Sequence, residues 1–271
     1  PVLLRLGENH FWVALADSDI LLWAKGVARG AGMRVELREP DVSPLQVQGP
    51  KSKEVVRALF GERVDGLAYY HFFETELDGI PLVVTRTGWT GEVGYELYLR
   101  DGSRGVELWD RVLAAGKRFQ IRPTGPSDIR RIEAGMLNFG ADMTPAENPY
   151  EVGLARLVDK DKTSDYIGKQ ALARLRAQGV RLRLVGVEIE GGRIPFNMVR
   201  WTVRQGDAPI GAVTSAIHSP RLKKNIGYAM VPLAASELGT SLTVEIPEMG
   251  ERRATVVARP FIDPEKDIPK S

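Results

Sequence analysis

From about residue 181 to its end, the chain alternates short strand-like segments with turns, and this pattern constrains the fold more than any other feature. The segments are Leu182–Ile189, Thr202–Arg204, Ile210–Ile217, Asn225–Val231, Ser241–Ile246 and Arg252–Ala258. Alternation with a period of two residues places successive side chains on opposite faces of a sheet. Short strands with regular turn signals between them are typical of a β-barrel or a β-sandwich. We therefore predict an all-β C-terminal part.

The residues before 181 mix helical and strand periods, so the fold class is α+β. A first helix is expected to start near Ser18, capped by Ser18 or Asp17, and to stop at Gly30. Trp109 is expected on the core side of a later helix. The remaining helices are predicted at Ser52–Phe60, Ser103–Ala115, Pro126–Ala134 and Lys169–Ala177, and the strands at Arg34–Leu37, Tyr70–Leu77, Leu82–Thr85 and Tyr95–Leu99.

Composition excludes several classes of function. The chain has no cysteine, which rules out disulfides, thiolate metal sites and a cysteine nucleophile, and its three histidines are too far apart in sequence to suggest a zinc site. The formal net charge of +2 is too small to indicate nucleic-acid binding. No apolar run approaches the ~18 residues that a membrane span needs. We expect no metal, no nucleic acid and no membrane association, and a cytoplasmic location.

A glycine-rich stretch, Gly88-Trp89-Thr90-Gly91-Glu92-Val93-Gly94, joins two predicted strands and is the first candidate site. Glycines allow a tight turn and a close approach of the backbone to another group. In the following strand, Glu96 and Tyr98 are two residues apart and so share one face. A carboxylate, a phenol and an indole beside such a loop suit a flat heterocycle that forms hydrogen bonds. An ordinary hairpin with a solvated glutamate remains the alternative.

Two further segments are candidates. In the predicted helix at Pro126–Ala134, Asp128 and Arg131 are three residues apart and can pair on one face. An exposed ion-pair network is the simpler interpretation, but the apolar continuation of the helix favours partial burial. In Asn148-Pro149-Tyr150-Glu151, proline restricts Asn148 to extended conformations, so Tyr150 and Glu151 are expected on a rigid loop. That loop is either a domain linker or part of a site.

Short motifs along the whole chain resemble the glycine-cleavage T-protein family of tetrahydrofolate-dependent one-carbon transferases. They occur in the order typical of that family: Gln48-Gly49-Pro50, Gly88-Trp89-Thr90-Gly91-Glu92 with Gly94-Tyr95-Glu96, Arg131-Ile132-Glu133-Ala134-Gly135, Asn148-Pro149-Tyr150-Glu151, Tyr166-Ile167-Gly168-Lys169, and Val213-Thr214-Ser215 with Ser219-Pro220. Within the family, the chain looks most like dimethylsulfoniopropionate demethylases. This leaning depends on Ala16-Asp17-Ser18-Asp19, Trp89 and Arg259-Pro260-Phe261.

The resemblance implies a three-lobed fold. Residues 1–40 would be the remainder of a ferredoxin-like lobe, residues 41–135 the second half of a split folate-binding lobe, and residues 136–271 a connector and a C-terminal β-barrel. The chain starts at Pro1 without a methionine and enters a strand-like run at once, so we expect an N-terminal part to be missing. The aspartate that the family uses in catalysis would fall immediately before Pro1, which leaves the catalytic residue unknown.

The resemblance also implies the cofactor and its contacts. Tetrahydrofolate would bind with the amino-pyrimidinone edge of its pterin on Glu96, Arg131 would line the folate site, and Trp89 and Tyr98 would form walls. Tyr150 and Glu151 would lie at the substrate or behind it. The implied reaction is methyl transfer from a small sulfonium or ammonium donor. The alternatives are an aminomethyltransferase that acts with a lipoyl carrier protein, and a folate-binding module without turnover.

Overall fold

The computed structural model describes residues 2–15 and 19–271 of the chain. Its contacts divide the chain into two compact units. One unit comprises Pro1–Pro126 together with Lys266–Ser271, and the other comprises Ser127–Glu265. The lobe boundaries implied by the family resemblance, after residues 40 and 135, stay a prediction. The caps expected for the first helix, Asp17 and Ser18, lie outside the described residues.

The first unit combines two antiparallel sheets with helices. Its elements are β1 (Val2–Gly7), β2 (His10–Ala14), α1 (Leu21–Gly30), β3 (Ser43–Gln48), α2 (Ser52–Phe60), β4 (Phe72–Leu77), β5 (Ile80–Thr85), β6 (Gly94–Leu99) and α3 (Gly105–Gly116). β1 and β2 form a hairpin, and the larger sheet has the order β3-β6-β5-β4. Asp78 and Gly79 join β4 to β5 in a hairpin turn, and both have positive φ.

Each face of the larger sheet packs on a different layer. On one face, Tyr95 and Leu97 of β6 are completely buried in a cluster with Val56 of α2 and Leu108 of α3. On the other face, Tyr98 packs in a smaller cluster with residues of β1 and β2. β6 therefore lies between β3 and β5 with both of its faces covered, so side chains near its start are held in a fixed, mostly buried environment.

Two predictions for this unit are wrong. Residues 33–40 form a loop and not the expected strand at Arg34–Leu37. Trp109 is 40% exposed, and α3 buries Leu108 and Val112 instead. This helix has apolar residues on two adjoining faces, and its packing against α2 and the sheet selects the face with i, i+4 spacing. Periodicity alone could not make that choice.

The second unit is built around the predicted barrel. Its elements are α4 (Asp128–Glu133), α5 (Lys169–Gln178), β7 (Leu182–Ile189), β8 (Trp201–Gln205), β9 (Ala208–Ser219), β10 (Lys224–Pro232), β11 (Ser241–Ile246) and β12 (Gly250–Val257). The strands close in the order β10-β7-β12-β11-β8-β9. The C-terminal part is therefore a barrel and not a sandwich. α4 starts two residues later than predicted, because the Ser127 side chain accepts a hydrogen bond from the Arg130 N–H and caps it.

The C-terminal segment belongs to the first unit, through the short helix α6 (Asp267–Lys270). The buried guanidinium of Arg86 donates hydrogen bonds to the backbone oxygens of Leu67, at 3.0 Å, and of Ser271. Carbonyl dipoles thus offset a positive charge that burial would otherwise make costly. Across residues 2–15 and 19–271, no helix has both the length and the apolar character that a membrane crossing requires.

Candidate functional site

A row of polar side chains crosses the larger sheet of the first unit. In the antiparallel register, Glu96 of β6 lies opposite both Gln46 of β3 and Thr85 of β5. Residues paired in this way point to the same face. Tyr98 is on that face as well, and its hydroxyl donates to Glu96 Oε2 at 3.1 Å. The predicted alignment of Glu96 and Tyr98 is therefore correct.

The carboxylate of Glu96 is the centre of this row and is only 8% exposed. Its Oε1 accepts a hydrogen bond from Gln46 Nε2 at 2.9 Å, and its Oε2 accepts from the hydroxyls of Thr87 and Tyr98. All three donors are neutral. Within the described part of the chain, no cationic side chain forms an ion pair with Glu96. A buried carboxylate without a cation carries a large desolvation cost, which these three hydrogen bonds partly offset.

The phenol of Tyr98 is fixed as a donor to this carboxylate. Burial, and then the negative charge of Glu96 and the hydrogen bond to it, raise the pKa of Tyr98 above its ordinary value. The hydroxyl therefore keeps its proton throughout the physiological range. Thr85 and Thr87 extend the network, since their hydroxyl oxygens are 2.5 Å apart. The network orients the carboxylate.

The glycine-rich loop between β5 and β6 closes over a side chain of the protein itself. Gln48 Nε2 donates to the carbonyl oxygens of Thr87 and Tyr95, each at 3.2 Å. Gln48 Oε1 accepts from the Thr90 hydroxyl at 2.8 Å. The group that the loop approaches most closely is thus an amide of β3. Trp89 lies between the two tied residues of the loop and is half-buried.

Arg131 belongs to the second unit, where α4 places it in a buried polar network. Its side chain is inaccessible to solvent. Nε donates to Asp128 Oδ1 at 2.7 Å, Nη1 to Asp142 Oδ2 at 2.8 Å and Nη2 to Ser215 Oγ at 2.9 Å. The predicted pair of Asp128 and Arg131 is therefore present, and the burial favoured for this helix is confirmed. The contact of Arg131 with folate stays a prediction.

Asp142 is the carboxylate at the centre of this second network, and it is also fully buried. Besides Arg131, it accepts hydrogen bonds from the Asn138 N–H at 2.8 Å, the Thr214 hydroxyl at 2.8 Å and the Ser215 hydroxyl at 2.6 Å. Asp142 thus connects the sequence motif that contains Arg131 with the motif that contains Thr214 and Ser215. Asp142 itself could not be predicted from the sequence, because its partners are 11, 72 and 73 residues away in the chain.

Tyr150 and Glu151 also belong to the second unit, and both are half-buried. The Asn148 side chain accepts hydrogen bonds from the N–H groups of Tyr150, at 3.0 Å, and of Glu151, at 3.2 Å. In return, Glu151 Oε2 accepts from the Asn148 N–H at 3.1 Å. This reciprocal arrangement rigidifies the turn, as the proline predicts. The role of both residues at a substrate stays a prediction.

Two of the three donors to Glu96, Gln46 and Thr87, were not predicted from the sequence. Gln46 and Gln48 alternate on β3 and so face the same way, which was a usable signal, but their partners could not be read without the register. Among residues 2–15 and 19–271, no group of three or more His, Asp or Glu side chains is arranged to hold a metal ion.

Comparisons with known proteins cover both units. Residues 1–162 match the family model described as the GCVT N-terminal domain, and residues 183–263 match the glycine cleavage T-protein C-terminal barrel domain. The chain is 38% identical to dimethylsulfoniopropionate demethylase DmdA of Ruegeria pomeroyi over 256 residues, which is 94% of this chain and 69% of that protein. It is 32% identical to the aminomethyltransferase of Bacillus subtilis over 266 residues, which is 96% of this chain and 72% of the relative.

A solved structure shares the fold. The crystal structure of glycine cleavage system aminomethyltransferase T from Bartonella henselae superimposes with a TM-score of 0.74 at 21% identity. The match covers 90% of this chain and 66% of that one. A further aminomethyltransferase, from Caldanaerobacter subterraneus, is 32% identical, and the chain spans 65% of its length. The chain thus corresponds to about two thirds of these proteins.

Proposed function

Because the chain belongs to the glycine cleavage T-protein family, we propose that it serves tetrahydrofolate-dependent one-carbon transfer and binds the pterin at Glu96. The observation that carries this proposal is the environment of that carboxylate. It is buried, it is oriented by three neutral donors, and none of the described residues neutralises it with a positive charge. The amino-pyrimidinone edge of a pterin presents two adjacent N–H groups, which match the two oxygens of a carboxylate.

The hydrogen bonds of Glu96 indicate what must change when the pterin binds. Two oxygens offer about four lone pairs in total. Oε2 already accepts from Thr87 and Tyr98, whereas Oε1 accepts from Gln46 alone. A contact that uses both oxygens therefore has to displace one donor from Oε2. The Tyr98 hydroxyl, at 3.1 Å, forms the longer of those two bonds and is the one we expect to leave.

We propose a methyl group on a small sulfonium compound, dimethylsulfoniopropionate, as the transferred unit. Tetrahydrofolate held at Glu96 would supply N5 as the acceptor of the methyl group. The C–S bond would break, its electron pair would stay on the sulfur of the neutral thioether, and the N5 proton would pass to solvent. A thioether leaves without activation, so positioning and exclusion of water supply the rate. The proposal assigns no catalytic residue within this chain. The similarity to the Ruegeria demethylase supports this substrate.

Incubation of the intact protein with tetrahydrofolate and dimethylsulfoniopropionate tests this function. We expect stoichiometric 5-methyl-tetrahydrofolate and methylthiopropionate, detected by mass spectrometry, with the methyl group traced by a deuterium label. Because the pterin is held by one carboxylate, Glu96→Gln should lower the yield sharply, while Glu76→Gln, at an exposed position of β4, should leave it unchanged. Folate binding without any methyl transfer would eliminate this substrate.

A second candidate function is aminomethyl transfer from a lipoyl carrier protein, with release of ammonia and formation of methylene-tetrahydrofolate. The match to the Bacillus aminomethyltransferase over 96% of this chain supports it. It requires a carrier protein as partner, so titration of an aminomethyl-loaded carrier should produce ammonia. Absence of both ammonia and a measurable interaction would eliminate it. Binding of folate with neither reaction would leave a folate-binding module.

A further inference from the structure

The side chain of Gln48 connects both ends and the middle of the loop above Glu96. Its Nε2 donates to the carbonyl oxygens of Thr87, where the loop leaves β5, and of Tyr95, where it has entered β6. Its Oε1 accepts from the hydroxyl of Thr90, in the middle of the loop. The Gln48 amide therefore uses both of its N–H groups and an oxygen lone pair to fix the loop that joins β5 to β6.

The glycines of this loop provide space for that amide. A Cβ added at Gly88 would lie 2.0 Å from Gln48 Oε1, and one added at Gly94 would lie 2.1 Å from the same atom. Neither glycine has the left-handed backbone conformation that Gly91 has, at φ +71°. A larger residue at position 88 or 94 would therefore displace the Gln48 amide, whereas the backbone conformation of these two glycines does not itself require glycine. The register gives the reason, since Gln48 pairs directly with Gly94.

The tied loop also carries a donor of the pterin site. Thr87, whose carbonyl is held by Gln48, donates its hydroxyl to Glu96 Oε2. Trp89 lies between Thr87 and Thr90, both of which are bonded to Gln48. The amide thus holds the backbone from which these side chains project. A site that is fixed before the ligand arrives loses less conformational freedom on binding.

We propose that Gln48 is a positioning residue for the pterin: it fixes the loop from Thr87 to Tyr95, and through Thr87 it sets the orientation of the Glu96 carboxylate. This inference rests on the proposed function, since it concerns the affinity of that same site. Gln48 itself has no contact with the cofactor in this account. Gln48 acts on the pterin only through the loop. Replacing Gln48 should therefore weaken folate binding by more than the accompanying loss of stability would explain.

A double-mutant cycle between Gln48 and Gly94 tests this role. We compare the intact protein with Gln48→Ala, Gly94→Ala and the double variant, using denaturant unfolding for stability and calorimetric titration with 5-formyl-tetrahydrofolate for affinity. In Gly94→Ala the new methyl group collides with the Gln48 amide, so both stability and affinity fall. In the double variant the methyl group enters the space that Gln48 has vacated, so stability recovers relative to Gly94→Ala. Affinity stays about tenfold or more below that of the unchanged protein, because the loop has lost its hydrogen bonds.

Two further variants keep the test decisive. Gln48→Met retains the length of the side chain without its hydrogen bonds, so it should fold and still lose affinity. Gly66→Ala is the control, since position 66 is exposed and a Cβ there meets nothing within 4 Å. The inference is overturned if Gln48→Met binds the folate within about twofold of the unchanged protein, or if affinity recovers together with stability in the double variant. Failure of the unchanged protein to bind 5-formyl-tetrahydrofolate would instead overturn the proposed function, and the positioning role with it.

Discussion

Replacing Asp142 by asparagine is expected to lower the free energy of unfolding by about 3–5 kcal/mol, the range for breaking a buried ion pair. The side chain is fully buried, and its two oxygens accept four hydrogen bonds. Oδ2 accepts from Arg131 and from the Asn138 N–H, so an amide nitrogen placed there would face two donors. If the amide turns the other way, the hydroxyls at Oδ1 can rotate, but Arg131 still loses a buried negative charge.

Asp128→Asn is the matched control for this prediction. Asp128 pairs with the same guanidinium, but its side chain is 39% exposed, so solvent screens the interaction and we expect a loss below about 1 kcal/mol. Both variants are measured by denaturant unfolding monitored by circular dichroism. Equal losses of unfolding free energy in the two variants would show that burial of Asp142 does not determine how much its network contributes to stability. Failure of Asp142→Asn alone to accumulate as folded protein would agree with the prediction.

Replacing Glu96 by glutamine is expected to weaken folate binding by about 1–3 kcal/mol, or roughly 5- to 150-fold, the cost of losing a charged hydrogen-bond acceptor. The glutamine keeps the shape of the side chain but replaces one oxygen by a donor. That donor faces either the pterin edge or the hydroxyls of Thr87 and Tyr98. Stability should not fall in parallel, because a buried charge without a cationic partner has been removed.

Titration calorimetry with 5-formyl-tetrahydrofolate and denaturant unfolding separate these two effects. Glu76→Gln provides the control at an exposed position of the same sheet. We expect a loss of folate affinity without a loss of stability for Glu96→Gln alone. Unchanged affinity would mean that the pterin is held by another acceptor. A joint loss of affinity and stability would mean that Glu96 supports the sheet and does not contact the ligand.

The periodic elements of the fold could be predicted from the sequence. The boundaries of α2, β7 and β11 were predicted to the residue, and the alternation in β6 put Glu96 and Tyr98 on one face. In each case the signal is local, since a period of two or 3.6 residues follows from backbone geometry alone. Trp109 shows the limit of predictions from periodicity. A helix with apolar residues on two faces does not reveal which face its neighbours will cover.

The partners of the site residues could not be predicted, because they come from distant parts of the chain. Gln46 is 50 residues from Glu96, and Thr214 is 72 residues from Asp142. Their meeting depends on strand register and on tertiary packing, which periodicity does not encode. The glycine-rich loop had the same ambiguity. The sequence indicated a close approach, and only the structure identified the approaching group as Gln48.

A crystal structure of the intact protein with bound 5-formyl-tetrahydrofolate tests the central claim most directly. We predict that two nitrogens of the pyrimidinone ring system lie about 2.7–2.9 Å from the two oxygens of Glu96, as in charge-assisted pairs, and that the Tyr98 hydroxyl has left Oε2. A pterin bound away from Glu96, with the three protein donors still in place around that carboxylate, would contradict the account.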